Sequence, residues 1–415
     1  METTKKVFIG AGIVAAIVLV VCAAWFLFNR STPTATTPGT TIKNTQSFTT
    51  SNTATQETPL TADGQQIDTS GTTAPEQKIF KIADGPVMGA LFIQTSNPTT
   101  TLARYTMQDN GHVFDMPVNV PGAIARVVSN ITIPGLRTEL WLGPGKGTIL
   151  QYVEGSVIKT LYLGFPVAST TAATSSPPVI RFFPDNITGI AASPDGTLVT
   201  YLLKTTSGTV GYIAGSNTTN PKILFTLPFS QLLISWSSTH TLLVQMKEAT
   251  GVPGMAFSLS YTGELSPLLY ADSLSATANA NFSKVVYQST SETTSQRTTY
   301  VHDVQSGHDT KILFNPLPEK CVWGNTNFNL MYCAAPLSPT PSNYLDLWHL
   351  GATNVADDIF SFDVAAGITS MLASPGSPQG GTQSEIDQIA VSPDGQYLLY
   401  ITRGDRTLWG VHIGR

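Results

Sequence analysis

Few residues of this chain stand in a pattern that would do chemistry by itself. The sequence has no HExxH zinc motif, no GxSxG nucleophile elbow, no EF-hand loop and no CxxC pair. The stretch 143–148 (GPGKGT) is rich in glycine, as phosphate-binding loops are. It lacks the GxxxxGK[ST] order, so we expect a plain turn between two strands. The six histidines fall in different parts of the chain and form no spaced ligand set. The sequence therefore predicts no cofactor and no metal site.

The most distinctive side chains lie in an insertion. About 25 residues separate Tyr332 from a strand predicted at 359–364, and they include the Pro-rich run 336–341. Long loops in compact domains are usually functional or disordered, and aromatic residues are enriched at interfaces. We interpret the insertion as a site for a protein partner. The alternative is that Trp348 only packs the loop onto its own part of the fold. The candidate interaction residues are Tyr344, Asp346, Trp348, His349, Asp357 and Asp358.

Two cysteines fall in one predicted hairpin. If Cys321 and Cys333 face each other across the strands, an oxidising compartment would permit a disulfide. Equally, they could be two small buried apolar residues. The sequence leaves both alternatives open.

A repeated segment indicates how the chain is organised. Residues 190–201 (IAASPDGTLVTY) and 389–400 (IAVSPDGQYLLY) both read as strand, turn and strand. Proline fixes φ, aspartate bonds to nearby backbone and glycine accepts a positive φ, so we expect the turn residues to be structural. These turn residues are Pro194, Asp195, Gly196, Pro393, Asp394 and Gly395. Weaker copies place successive second strands 43 to 45 residues apart.

A glycine-containing turn recurs seven times between residues 79 and 415, which is about 48 residues per unit. We expect each of the first six to precede the last strand of a four-stranded unit, starting with 112–118 and 157–163. Four strands in about 40–50 residues is the period of a β-propeller blade. No strand follows the seventh turn, whereas 77–83 resembles the predicted outer strand 310–316. We therefore predict an all-β, seven-bladed propeller over 77–415, closed by 77–83 as the outer strand of the last blade.

The two Ser-Pro-Asp-Gly segments, 193–196 and 392–395, are each followed by an apolar strand ending in Tyr. They resemble the WD40-like repeats of TolB-type β-propellers. The periodicity covers 79–415, and two copies carry the full tetrapeptide. The resemblance implies a platform for protein interactions, or an accessory gate to a peptidase or another enzyme.

A membrane anchor is predicted near the amino terminus. Val7–Phe28 is a run of 22 residues without a charge, and an α-helix of that length spans about 33 Å. Lys5 and Lys6 precede it, so we expect residues 1–6 as a short cytoplasmic tail and the rest outside. A cleaved signal peptide and a lipoprotein cysteine at Cys22 are alternatives. We favour the uncleaved anchor because the apolar run is longer than a signal peptide requires.

Residues 29–76 are predicted to be a disordered linker. Of the 48 residues from 31 to 78, 20 are Ser or Thr, and such a segment cannot bury enough apolar surface to fold. Charged residues make up 12% of the whole chain and the net charge is −5, which disfavours a nucleic-acid partner. We therefore expect a single-pass protein of the cytoplasmic membrane. Its propeller would lie outside as a non-enzymatic protein-binding or scaffolding module of the cell envelope. The alternative is an envelope enzyme acting on glycans or peptides at the central face of the propeller.

Overall fold

The computed structural model describes residues 78–414 except 97–98, 119, 166–176, 292–295, 354 and 376–383. The predicted membrane helix at 7–28 and the predicted linker at 29–76 lie outside the described residues. Across the described ranges, no helix has both the length and the apolar character needed to span a bilayer.

The described residues form seven antiparallel sheets of four strands each, which we number as blades 1 to 7 in chain order. Blades 1 to 3 comprise β2 (Val87–Ser96), β3 (Thr99–Met107), β4 (Val113–Pro117) and β5 (Arg126–Ser129); β6 (Leu136–Leu142), β7 (Gly147–Glu154), β8 (Val157–Gly164) and β9 (Val179–Phe182); and β10 (Ile187–Ala192), β11 (Leu198–Thr205), β12 (Gly208–Gly215) and β13 (Lys222–Leu227). Blades 4 to 6 comprise β14 (Leu232–Ser235), β15 (Thr241–Met246), β16 (Pro253–Ser260) and β17 (Leu265–Asp272); β18 (Ser275–Ala278), β19 (Lys284–Thr290), β20 (Arg297–Asp303) and β21 (Asp309–Ile312); and β22 (Cys321–Trp323), β23 (Leu330–Pro336), β24 (Asp357–Asp363) and β25 (Ile368–Ala373).

Blade 7 joins the two ends of the domain. It comprises β26 (Ile386–Val391), β27 (Tyr397–Thr402), β28 (Leu408–His412) and, as its outer strand, β1 (Ile79–Ala83). β1 runs antiparallel to β28, with Ile79 opposite Val411. The Phe80 ring occupies the space where a side chain at Gly410 would stand. The predicted closure of the last blade is confirmed for 79–83, and Gln77 lies outside the described residues.

Hydrophobic clusters between neighbouring blades hold these sheets in a ring. In the described part of the chain one such cluster lies at each of the seven junctions. At the junction that completes the circle, Leu399 and Ile401 of blade 7 pack with Val87 and Tyr105 of blade 1. Because the first and last blades share a core, the seven sheets are arranged radially, as the sequence predicts.

The strand assignment in blades 1 and 2 differs from the sequence prediction. The segments 112–118 and 157–163 were expected as outer strands, but they contain the third strands β4 and β8. The outer strands are β5 and β9, which have four residues each; two residues of β5 and three of β9 are exposed. A short exposed strand lacks the alternation of apolar residues that marks a buried one, so the pattern did not separate it from a loop.

The two Ser-Pro-Asp-Gly turns have the same internal hydrogen bonds. The Ser193 hydroxyl donates to the Asp195 carboxylate at 2.5 Å and accepts the Leu198 N–H at 2.9 Å, and the turn at 392–395 repeats both bonds at the same distances. The Ser193 hydrogen bond lowers the pKa of Asp195. Gly196 has a φ of +71°, a conformation that few side chains tolerate.

The cysteine pair lies in the hairpin of blade 6. Cys321 of β22 stands opposite Cys333 of β23, and the two are joined by a disulfide. The sequence left open a disulfide or two small buried cysteines, and the structure has the disulfide.

Candidate functional site

The insertion in blade 6 contains a short helix, α1 (Tyr344–His349), which contacts the two blades on either side of its own. Arg297, the first residue of β20 in blade 5, lies 5.2 Å from the centre of the Tyr344 ring. Arg403, just after β27 in blade 7, lies 4.7 Å from the centre of the Trp348 ring and donates a hydrogen bond to the Trp348 carbonyl. The aromatic side chains of α1 thus bind guanidinium groups on both sides by cation–π contacts.

α1 also reaches blade 4, which is not adjacent to blade 6. The Asp346 carboxylate accepts the Thr250 N–H at 3.0 Å, and Thr250 belongs to the loop between β15 and β16. A six-residue helix is only about 9 Å long. It can contact blades 4 to 7 of a seven-membered ring only where the blades converge. We therefore place α1 at one end of the propeller close to its axis.

A fully buried lysine, Lys320, holds α1 in place through hydrogen bonds. The Lys320 ammonium has no solvent exposure and donates hydrogen bonds to the Tyr344 hydroxyl at 2.9 Å, to Asp357 at 2.8 Å and to Glu385 at 3.1 Å. The Tyr344 hydroxyl donates in turn to Glu385 at 2.9 Å. Burial raises the pKa of Asp357, while the charge of Lys320 opposes that effect. Since Asp357 begins β24 and Glu385 directly precedes β26, the network ties α1 to blades 6 and 7.

The structure buries most of the predicted interaction residues. Tyr344 is 0% and Trp348 is 8% exposed, and both pack with Leu317, Leu345 and Val355 in a small core of the insertion. Trp348 packs both within the insertion and against Arg403 of blade 7. Asp357 and Asp358 are buried as well. Asp346 is half-buried and His349 is exposed.

His349 lies in a second cluster of titratable groups, with Glu248 and Glu319. Its Nε2 stands 2.6 Å from Glu248 Oε1, and one ligand-type atom from each of the three residues lies within 4.8 Å of the other two. Glu319 accepts a hydrogen bond from Ser275. Burial and the charge of Glu248 raise the pKa of Glu319. Burial alone would lower the pKa of His349, but the hydrogen bond and charge of Glu248 raise it.

Sequence reasoning missed this cluster. The glutamates are 71 residues apart, in the loop after β15 and in the 3₁₀ turn Pro318–Lys320 before β22. No spacing rule connects such positions, and only the propeller fold brings blades 4 and 6 to a common centre beneath α1. Of the three residues, the sequence singled out His349 alone, as a partner contact.

An open groove lies beside the Pro-rich start of the insertion. It has a volume of about 810 Å³. Leu313, just after β21, and Leu337 of the insertion are 84% and 70% exposed. Arg297 is buried at the groove, and its Nε has no hydrogen-bond partner among the residues that the structure describes. The groove is lined by Gln296, Arg297, Leu313, Phe314, Asn315, Phe360 and the segment 336–342.

Seven radial four-stranded sheets, closed by β1 and carrying two Ser-Pro-Asp-Gly turns, identify the architecture. The fold is a seven-bladed β-propeller that is similar to the TolB and WD40 propellers. The chain is similar in structure to TolB from Acinetobacter baumannii, with a TM-score of 0.42 and 10% identity over 68% of this chain and 62% of that one. It therefore spans less than two thirds of the length of TolB.

Two further solved structures are similar to this β-propeller. The Pan2 WD40 domain from Neurospora crassa has a TM-score of 0.48 and 11% identity, over 82% of this chain and 97% of that one. Oligogalacturonate lyase from Vibrio parahaemolyticus has a TM-score of 0.47 and 9% identity, over 80% and 99%. No protein-family model and no curated protein sequence matches the chain. At such low sequence identity, structural similarity shows the fold alone, and the function depends on the residues of the site.

Proposed function

We propose that this chain is a single-pass protein of the cytoplasmic membrane that holds its β-propeller outside as a non-enzymatic, protein-binding module of the cell envelope. The uncharged run 7–28 supports the anchor, and the Thr/Ser/Pro-rich segment 29–76 supports a flexible tether. A tether keeps the propeller near the membrane and raises its effective concentration for partners there.

The groove between blade 5 and the insertion carries the binding proposal. Leu313 and Leu337 are almost fully exposed leucines on the same open groove, and apolar surface of this kind marks interaction sites. The wall at 336–342 holds three prolines, so it loses little conformational entropy when a partner binds. Arg297 also lines the groove, and its positive charge favours a carbonyl or carboxylate of the partner. We infer that the occupant is an extended protein segment with apolar side chains and one such acceptor.

Substitutions in the groove test the binding role. Leu313→Asp and Leu337→Asp should each abolish cross-linking of the full-length protein to its partner in native membranes. Ile223→Asp on blade 3 is the matched control, because Ile223 is 66% exposed and does not line the groove. Equal capture by the groove variants and the control would show that the groove is not the binding site.

The alternative, an envelope enzyme acting on glycans or peptides, is favoured by one observation. Glu319 and Asp357, both with raised pKa values, lie beside α1 near the propeller axis. Perturbed carboxylates in a convergent position are typical of acid–base catalysis. The test is whether the protein turns over an envelope glycan or peptide. If Glu319→Gln abolishes that turnover and leaves partner capture unchanged, the protein is an enzyme.

A further inference from the structure

We propose that Glu248, Glu319 and His349 bind a divalent transition-metal ion of the Zn²⁺ class beneath α1. The ligands are two carboxylate oxygens and an imidazole nitrogen, all within 4.8 Å of one another. They come from the loop after β15, the turn before β22 and the last residue of α1, and so from two blades and the insertion.

Two orphaned oxygens point to an ion. Glu248 Oε2 and Glu319 Oε2 are both buried, and neither has a hydrogen-bond donor in the described part of the chain. The Glu248 side chain is only 1% exposed, so bulk solvent does not reach its second oxygen. A buried carboxylate without a partner is costly. Without the ion, the His349 Nε2–H donates to Glu248 Oε1 and the Ser275 hydroxyl donates to Glu319 Oε1, which leaves the Oε2 atom of each glutamate unpaired among the described residues. An ion that takes Nε2 as its ligand displaces the Nε2 proton and pairs these two oxygens.

The distances fit a small cation after modest side-chain movement. Nitrogen and oxygen ligands about 2.1 Å from a tetrahedral Zn²⁺ stand about 3.4 Å apart. The observed separations run from 2.6 Å, between Glu248 and His349, to at most 4.8 Å. They bracket the required value, and carboxylate rotamers can adjust within the cluster.

The donor set selects the class of metal. Imidazole suits Zn²⁺ and its neighbours in the first transition series, whereas Ca²⁺ and Mg²⁺ take oxygen ligands. Three protein ligands leave a fourth tetrahedral position, which is the arrangement of zinc sites that bind water or substrate rather than of closed structural sites. The His349 side chain is 30% exposed, so solvent reaches this side of the cluster.

Metal titration of the full-length protein in detergent tests the site. After removal of metal with EDTA, the wild type should bind one Zn²⁺ per chain, and Zn²⁺ should raise its Tm. Glu248→Gln, Glu319→Gln and His349→Ala should each weaken binding by about 100-fold or more and abolish that rise in Tm. His308→Ala is the matched control, because His308 is exposed and outside the cluster. It should bind Zn²⁺ as the wild type does.

Unfolding in EDTA separates lost ligation from lost structure. Without metal, Glu319→Gln should be at least as stable as the wild type, because it removes repulsion between neighbouring carboxylates. Co²⁺ in place of Zn²⁺ should give visible absorption bands in the wild type that His349→Ala alters. Wild-type Zn²⁺ affinity in all three variants would overturn the proposal, and so would preferential binding of Ca²⁺.

Discussion

A buried carboxyl between blades 1 and 2 makes the stability of the propeller depend on pH. Glu139 of β6 accepts hydrogen bonds at Oε1 from the hydroxyls of Thr106, at 2.6 Å, and Thr148, at 2.9 Å. Its Oε2 is buried, has no hydrogen-bond partner within the described residues, and lies where a side chain at Gly89 would stand. Burial raises the pKa of Glu139 to about 8, against an ordinary value of 4.5, and the two hydrogen bonds reduce the rise.

The pKa difference gives both the sign and the size of the effect. Below about pH 4.5, Glu139 is protonated in the folded and in the unfolded chain. Between pH 4.5 and about 8 only the unfolded chain ionises it, so the free energy of unfolding falls as the pH rises. At about 1.4 kcal/mol per pH unit, the difference of 3.5 between the two pKa values corresponds to at most about 5 kcal/mol. The side chain in Glu139→Gln resembles the protonated acid and cannot ionise. In this variant the free energy of unfolding should therefore not fall with rising pH on account of residue 139.

The free energy of unfolding can be measured at pH 4.5, 6.5 and 8.5 by urea unfolding of the full-length chain in detergent. Tryptophan fluorescence reports the unfolding. Glu139→Gln should match the wild type at pH 4.5 and exceed it by several kcal/mol at pH 8.5. Glu264→Gln is the control, because Glu264 is exposed and should leave the pH dependence of the wild type unchanged. Parallel curves for Glu139→Gln and the wild type would refute a buried, protonated Glu139.

Two further substitutions probe the anchor of α1 and the closure of the ring. Lys320→Met should destabilise the chain by about 3–5 kcal/mol in the same urea assay, because Asp357 and Glu385 would remain buried without their cation. An unchanged midpoint would show that the network does not hold the insertion. Gly410→Val should displace the Phe80 ring, loosen β1 and expose the start of the propeller to limited proteolysis. Wild-type resistance to the protease would argue against closure through this strand pair.

The ring was predictable because its signals are local. Ser193–Gly196 and Ser392–Gly395 mark hairpins by turn chemistry, and the apolar alternation around them sets the period. The closing strand was predictable from the likeness of 77–83 to other outer strands. The outer strands β5 and β9 were not, because short exposed strands carry no apolar pattern.

The site was predictable only in part, because its residues meet through tertiary structure. The insertion was visible as an interruption of the period, and Trp348 and His349 stood out by residue type. Trp348 packs against Arg403, which lies 55 residues away on another blade. Glu248 and Glu319, which lie beside His349, likewise belong to two separate blades. Leu313 attracted no attention in the sequence, because its exposure follows from the end of β21.

Photo-cross-linking in intact cells tests the proposed binding role most directly. A photoreactive amino acid at Leu337 of the full-length protein should form a defined adduct with one protein, and Leu313→Asp in the same chain should abolish it. The same group at Ile223, on blade 3 outside the groove, should give no such adduct. Identical adducts at both positions, or an adduct at Leu337 that survives Leu313→Asp, would contradict partner binding in the groove.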